Sequence, residues 1–428
     1  MQKKKKKSPW LIFAAIILAI IAGSWTKTDA QIFGIYFYEI YDLLGKLFIN
    51  ALTLVVVPLI SSSIITGIAR IGNESDFGRI GAKTFTFYLG TSLVAILIGL
   101  FFVNILGPGY SINSEMIKAY ETSKVDQIQQ YVATQEGNKI SNLILQIIPS
   151  NVIDAFSQGH MLSLIFFSLL FGYAVSKIES HPLSILLGFW QGVFQTMLKI
   201  TEIILKFLPL GVFCLVAKVF ATTGIASLRS IGMFTIAVIL GLSVFVFLAL
   251  PLLLKIIGKV RPYRHFKAMS PALITAFSTS SSSATLPITI ECVEKRAGVS
   301  NRICSLVVPL GASINMSGSA LYECVAAMFV AQAYGINLSF TTQFMVVILA
   351  LISSIGVAGV PSASLVAVVV VLKAIGLPVE GIGLFIAVDR ILDMCRTTVN
   401  VFSDSCCAVL VACTEGEKNV LTKQNYDD

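Results

Sequence analysis

Long apolar runs follow one another along this chain: Trp10–Trp25, Leu47–Ala69, Thr84–Leu106, Met161–Val175, Leu183–Val219 and Ile231–Ile257, then an almost unbroken stretch from Ala268 to Ala412. About 20 apolar residues in helical form cross the hydrocarbon core of a bilayer, so runs of this kind read as transmembrane helices. The pattern predicts six or more crossings and an all-α integral membrane protein. Between Gly109 and Ser141 it lapses into Glu, Lys, Gln and Ser without apolar periodicity, which reads as an external loop. The polar stretch 415–428 reads as a short cytoplasmic tail, with no second soluble domain.

Composition agrees with lipid as the main solvent: 56% of residues are hydrophobic, 13% are charged, and the mean hydropathy is +0.84. Lys3 to Lys7 stand directly before the first run, and no small-residue cleavage pattern clearly ends it, so it reads as a retained helix with a cytoplasmic N-terminus. The same charge rule places Arg70, Arg79 and Lys83, and then Lys255, Lys259, Arg261, Arg264 and Lys267, in the cytoplasm if Leu183–Val219 is one crossing. Orientation therefore accounts for most of the net charge of +8, and no nucleic-acid partner is needed. The eight cysteines lack CxxC spacing, and His160, His181 and His265 form no ligand pair, which excludes a disulfide framework and a zinc motif. A multi-pass location in the plasma membrane is expected.

Four segments carry polar chemistry inside apolar sequence. In DRILDMCRTTVNVFSD, residues 389–404, the spacings of 4, 3, 4 and 4 put Asp389, Asp393, Arg396, Asn400 and Asp404 on one helical stripe. Ionisable residues in a membrane helix cost about 2.5–3.5 kcal/mol each on insertion scales, so such a stripe faces the interior and marks a substrate or ion path. In GASINMSGSALYE, residues 311–323, small polar residues break an apolar run and free backbone carbonyls at mid-depth, which a hard cation such as Na⁺ can satisfy with oxygen ligands alone. GVAGVPSASLV, residues 356–366, interrupts another run. FSTSSSSATLP, residues 277–287, holds seven hydroxyls in the eight positions Ser278–Thr285. Two interrupted segments about 80 residues apart are the sequence pointer to an inverted-repeat secondary transporter with its site near the bilayer midplane. The serine cluster then reads as the tip of a re-entrant hairpin facing a bound anion.

These four segments, in this order, resemble the signature segments of the dicarboxylate/amino acid:cation symporters, the glutamate transporter family. The likeness extends to YLGTSLVAILIGL at 88–100 and NLILQIIPSNVIDAFSQG at 142–159, and so covers most of the chain. It implies a homotrimer of eight-helix protomers with two opposed re-entrant hairpins, at about 268–297 and 340–375. It also implies a scaffold, mainly 1–76 and 140–226, against which a transport domain, mainly 77–108 and 228–414, slides as an elevator. The substrate is then an acidic amino acid, L-glutamate or L-aspartate, taken up with Na⁺ and/or H⁺ and without a cofactor.

The family's roles transfer position by position. Asp393 matches the residue that binds the amino group, Arg396 the one that binds the side-chain carboxylate, and Thr397 and Asn400 those that bind the remaining polar atoms. Ser281 and Ser282 at the first tip, the backbone from Val360 to Ser364 at the second, and Ser319 match positions around the main-chain carboxylate. One Na⁺ falls to Asp404, Asn400, Gly311 and Asn315. A second falls to carbonyls around Ser313, Ser354, Ile355 and Val357, and a third to Tyr88, Thr91, Ser92 and Asn315. Two departures stand out. Neither Ser280 nor Met394 is the arginine that the family often carries at one of those positions to restrain Asp393, and Ser317 stands where many members have aspartate.

A symporter of neutral amino acids or C4-dicarboxylates is the nearest alternative, opposed by Arg396 and by Asp393 respectively. An ion channel would show flux without coupling. An intramembrane hydrolase would need a base near its serine, and residues 266–428 contain no histidine.

Overall fold

The computed structural model describes residues 10–71, 78–111, 148, 150–158, 161–223, 227–355, 364–418 and 420–422. The external loop expected at 109–141 lies almost wholly outside them. The first apolar run is α1 (Trp10–Thr26), followed by strands β1 (Gln31–Ile32) and β2 (Ile35–Tyr36). This exposed antiparallel ribbon is a small departure from the all-α expectation. Its two-residue turn has positive φ at both Phe33 (50°) and Gly34 (81°), the geometry that matches strand twist.

Next come α2 (Phe37–Leu54), α3 (Val56–Ile71), α4 (Gly78–Leu106), the short α5 (Val152–Gln158), α6 (Met161–Val175), α7 (Ser180–Ile204) and α8 (Leu208–Thr223). The run Leu183–Val219, expected as one crossing, is two helices divided by a 3-10 turn at Leu205–Phe207, just before Pro209. Proline has no N–H to give the preceding turn, so the ladder resets there. α1 and α2 pack on α8, and α6 and α7 pack on α3.

The second half contains α9 (Ser227–Val244), α10 (Leu250–Ile256), α11 (Pro262–Thr279), α12 (Ser282–Glu291), α13 (Asn301–Ile314), α14 (Ser317–Ala333), α15 (Phe340–Ile355), α16 (Ser364–Ala374) and α17 (Ile386–Thr414). A π-turn at Phe245–Ala249 joins α9 to α10 ahead of Pro251, where the missing N–H widens the ladder. α11 and α12 form a helix-turn-helix pair with its tip at Ser280–Ser281, beginning six residues before the expected 268 because basic residues occupy its first turns. α15 and α16 form a second pair within the expected 340–375, and the residues between them, 356–363, lie outside the described residues.

All residues of α14 are buried, and α4, α9, α15, α16 and α17 pack around it. Its aromatic side chains join Phe234 and Phe385, with Phe234 and Phe329 centroids 4.8 Å apart. Among the described residues six helical stretches are long and apolar enough to cross a membrane: Phe37–Ala69, Arg79–Tyr110, Ser180–Thr222, Leu228–Ile256, Asn301–Ala333 and Ile386–Thr414.

Beyond α17 the described residues dock on the rest of the protein. Lys83 Nζ donates to Thr414 O and Glu415 Oε1, at 2.9 and 2.6 Å, and Arg79 also donates to Glu415. Glu417 Oε2 accepts the Ser300 N–H at 3.0 Å. Leu421 donates its N–H to Ala297 O at 2.8 Å, and its own carbonyl accepts from Arg264 Nη1 at 2.9 Å. Val420 and Leu421 are buried. Residues 415–418 and 420–422 thus strap the base of the α11–α12 pair to the end of α17.

Candidate functional site

The helix α17 presents the predicted stripe, and every member is buried: Asp389, Asp393, Arg396, Asn400 and Asp404. Three clusters lie along it. At the first, Arg396 has no exposed surface and gives Nη2 to Asp389 Oδ1 at 2.9 Å and to Asp393 Oδ1 at 3.1 Å. Its Cζ sits 3.7 Å from the ring centroid of Tyr322, whose hydroxyl donates to Asp389 Oδ1 at 2.9 Å. Burying a guanidinium is costly unless charge and hydrogen bonds offset it, and two carboxylates and a ring face do so here. Yet Nε and Nη1 have no partner, so two buried donor groups remain available for an anion.

At the second cluster Asn400 bridges helices. Its Oδ1 accepts the Gly318 N–H at 2.8 Å, and its Nδ2 donates to Ser319 Oγ at 3.2 Å. Ser364, at the start of α16, donates to the same Ser319 oxygen at 3.1 Å. Thr397 is buried beside Arg396. The structure therefore brings together Ser319, Ser364 and Asn400, and one turn away on α17 joins Arg396 to Asp393, with Thr397 buried on the same helix.

The third cluster lies at the predicted break between α13 and α14, where Asn315 (φ −98°, ψ 75°) and Met316 (φ −98°, ψ 51°) leave helical geometry. Asn315 Nδ2 donates to Asp404 Oδ1 at 2.9 Å and to Ser403 Oγ at 3.1 Å. Its Oδ1 accepts from Ser317 Oγ at 2.8 Å and from Thr91 and Ser92, each at 3.4 Å. Ser317 Oγ also lies 3.1 Å from Ser92 Oγ and 3.2 Å from Ser403 Oγ. Tyr88 donates its hydroxyl to Val307 O at 2.5 Å. A Cβ on Gly311 would stand 2.6 Å from the Asp404 carboxyl carbon and 2.9 Å from the Tyr88 hydroxyl, so only glycine lets α13 approach α17 and α4 this closely. Carboxylate, amide and hydroxyl oxygens make a donor set suited to a hard cation such as Na⁺.

At the first tip most hydroxyls serve the backbone. Ser278 and Thr279 donate one turn back, to Ile274 O and Thr275 O, each at 2.8 Å, and Ser281 caps α12 by accepting the Ala284 N–H at 3.2 Å. Ser282 is buried as the first residue of α12, which packs on α17. Ser280 adopts the left-handed conformation, φ 51°, with a buried hydroxyl that has no partner. Ser354 and Ile355 are buried at the end of α15, with Ser354 Oγ donating to Leu351 O at 2.8 Å. Ser313 lies in the last turn of α13. Val357 and Val360 lie outside the described residues, so the structure places neither.

Three participants carry no role in the sequence reading. Asp389 is on the stripe and takes the shorter of the two Arg396 bonds. Ser403 adds a hydroxyl to the third cluster. Glu323, wholly buried on α14, accepts from Ser353 Oγ at 2.5 Å through Oε2, while Oε1 has no partner. A glutamate inside an apolar helix was the available signal for it.

Comparison with known proteins shows the family. A family model described as the sodium:dicarboxylate symporter family matches residues 9–414. A proton/sodium-glutamate symport protein of Bacillus caldotenax is 34% identical, over 97% of this chain and 96% of that protein. A proton/glutamate-aspartate symporter of Escherichia coli (strain K12) is 32% identical, over 96% of this chain and 94% of its own length. Mouse excitatory amino acid transporter 3 is 34% identical, over 93% of this chain and 84% of its own. The chain belongs to the sodium:dicarboxylate symporter family.

Proposed function

We propose that this protein is a secondary active symporter that takes up L-glutamate or L-aspartate, driven by a gradient of Na⁺ and/or H⁺. The observation that carries the reading is Arg396: wholly buried, anchored through Nη2, and holding Nε and Nη1 free of partners one turn from Asp393. Those donors suit the side-chain carboxylate of an acidic amino acid. Asp393 offers the countercharge for its ammonium, and Ser319, Ser364, Thr397 and Asn400 lie within reach of its remaining polar atoms. Ser281, Ser282 and the backbone from Val360 to Ser364 close over the main-chain carboxylate in this reading.

Na⁺ travels as cargo. Asp404, Asn315, Asn400 and Gly311 supply one position, and the end of α15 with Ser313 supplies a second. Glu323, with one oxygen unpartnered in the protein interior, supports counting H⁺ among the coupling ions. In this reading the two helix-turn-helix pairs act as re-entrant hairpins and slide as one unit with α4, α9 and α17; the packing of the first pair on α17 and of the second on α14 supports it. The assembly is a homotrimer, with both termini on the cytoplasmic side of a bacterial inner membrane.

Purified protein in liposomes tests the reading. L-aspartate or L-glutamate should accumulate against its gradient when Na⁺ or H⁺ is imposed outside, and uptake indifferent to every cation gradient would leave only a facilitator.

A further inference from the structure

Asp393 stands between two guanidiniums of its own helix. Arg396 gives Nη2 to Oδ1 at 3.1 Å, and Arg390, on the other side, holds Nη1 3.5 Å from Oδ2. The two arginines are held very differently. Arg396 is sealed by Asp389 and by the Tyr322 ring. The Arg390 side chain is 16% exposed, its Nη1 is at ion-pair rather than hydrogen-bond distance, and its buried Nε has no partner. Its neighbour Ile391 is 43% exposed, so α17 reaches the edge of the packed region here. Of the two cations on Asp393, Arg390 is the one that can yield.

We propose that Arg390 is the resident counter-cation of Asp393, displaced by the substrate's ammonium, and that it thereby sets selectivity between amino acids and dicarboxylates lacking an amino group. The inference rests on the reading of Asp393 as the ammonium position. With the site empty, two aspartates and two arginines balance along residues 389–396. An arriving ammonium adds a third positive charge beside Asp393. Like charges repel in a site with little water, so Arg390 swings toward its exposed side, and the ammonium gains only the difference between two cation contacts. A dicarboxylate without an amino group brings no replacement. It leaves Arg390 in place and depends on it, because an uncompensated Asp393 would repel the ligand. Arg390 thus acts through Asp393, as a positioning residue.

Removing the charge should therefore move the two ligand classes in opposite directions. Calorimetric binding of L-aspartate and of succinate, which has the same carbon skeleton without the amino group, is measured on purified full-length protein in saturating Na⁺. Arg390→Gln and Arg390→Met should bind L-aspartate tighter, on the order of 3- to 10-fold, and succinate weaker by a similar factor. Arg390→Lys, which keeps the charge, should hold the wild-type ratio. A residue that merely braces the helix would shift both ligands the same way. If succinate binding is below detection in every form, the tightening of L-aspartate decides alone. Unchanged or weaker L-aspartate binding in both neutral variants, with wild-type binding intact, overturns the role of Arg390 only. Wild-type protein that binds neither L-aspartate nor L-glutamate overturns the transport reading, and this inference with it.

Discussion

Asn315 and Asp404 lie 89 positions apart in the chain and share a hydrogen bond of 2.9 Å from amide to carboxylate. That bond ties the break between α13 and α14 to the middle of α17. It also turns the Asn315 carbonyl oxygen toward Thr91, Ser92 and Ser317, so one carboxylate orients oxygens contributed by three helices.

Asp404→Asn removes the charge that offsets dehydration of a bound cation while keeping the shape of the side chain. The Na⁺ concentration for half-maximal L-aspartate uptake should rise by about 10-fold or more, a loss of about 1.4 kcal/mol or more. Gly311→Ala should act on the same site sterically and lower thermal stability by about 1–3 kcal/mol. Wild-type Na⁺ dependence in Asp404→Asn would remove Asp404 from the cation path.

Arg396→Thr deletes the donors assigned to the side-chain carboxylate. Loss of a charge-assisted hydrogen bond costs about 1.5–3 kcal/mol, so affinity for L-aspartate should fall roughly 10- to 150-fold. Neutral amino acids such as serine should gain relative to it in competition assays. The measurement needs a parallel melting curve, because Asp389 and Asp393 lose their shared partner. Equal L-aspartate affinity in a folded variant would refute the assignment.

Ser317 occupies a position where the resemblance leads one to expect aspartate, and its hydroxyl is engaged with Asn315, Ser92 and Ser403. A cation held there would meet hydroxyl and amide oxygens, while the carboxylate of Asp404 already serves the neighbouring position. The protein should accordingly couple fewer Na⁺ per substrate than aspartate-containing relatives, or use H⁺ for part of the charge. Reversal-potential measurements in liposomes give the ratio directly, and Ser317→Asp should raise it. A wild-type ratio equal to that of aspartate-containing relatives, unchanged by Ser317→Asp, would contradict the argument.

Just beyond α17, hydrogen bonds from Lys83, and then from Arg79, hold the Glu415 carboxyl below the ordinary carboxylate range. A lowered folded-state value means that the contribution to stability is complete above the unfolded value, about 4.3, and is lost as pH falls through the folded one. The melting temperature of wild type should therefore exceed that of Glu415→Gln near neutral pH, and the gap should close in acid. A gap that widens on acidification would reverse the sign of this clasp.

The α17 stripe was legible because charge inside an apolar helix has few innocent explanations, and because its spacing of 4, 3, 4 and 4 admits one helical face. The break at Asn315–Met316 was legible for a related reason: a cluster of small polar residues interrupts an apolar run and frees backbone groups that something else must satisfy. Pairings across the chain were not. The partner of Glu323 is Ser353 on α15, and nothing local to either residue announces the other. The hydroxyl of Ser403 looks like one more small residue until α13 and α14 bring Asn315 against it. The division of the 183–219 run turned on Pro209, whose missing N–H outweighs a hydrophobic pattern that continues through it.

The strap formed by residues 415–418 and 420–422 has a consequence for the order in which this protein is made. Leu421 links Ala297 to Arg264, so both feet of the α11–α12 pair are pinned by a residue translated after all of α13 to α17. Chains grow at about 5–20 residues per second, which leaves the pair without its clasp for several seconds or more during synthesis. The α11–α12 pair therefore reaches its final anchorage only after α13 to α17 exist, and a chain arrested within α17 has a base that is still open.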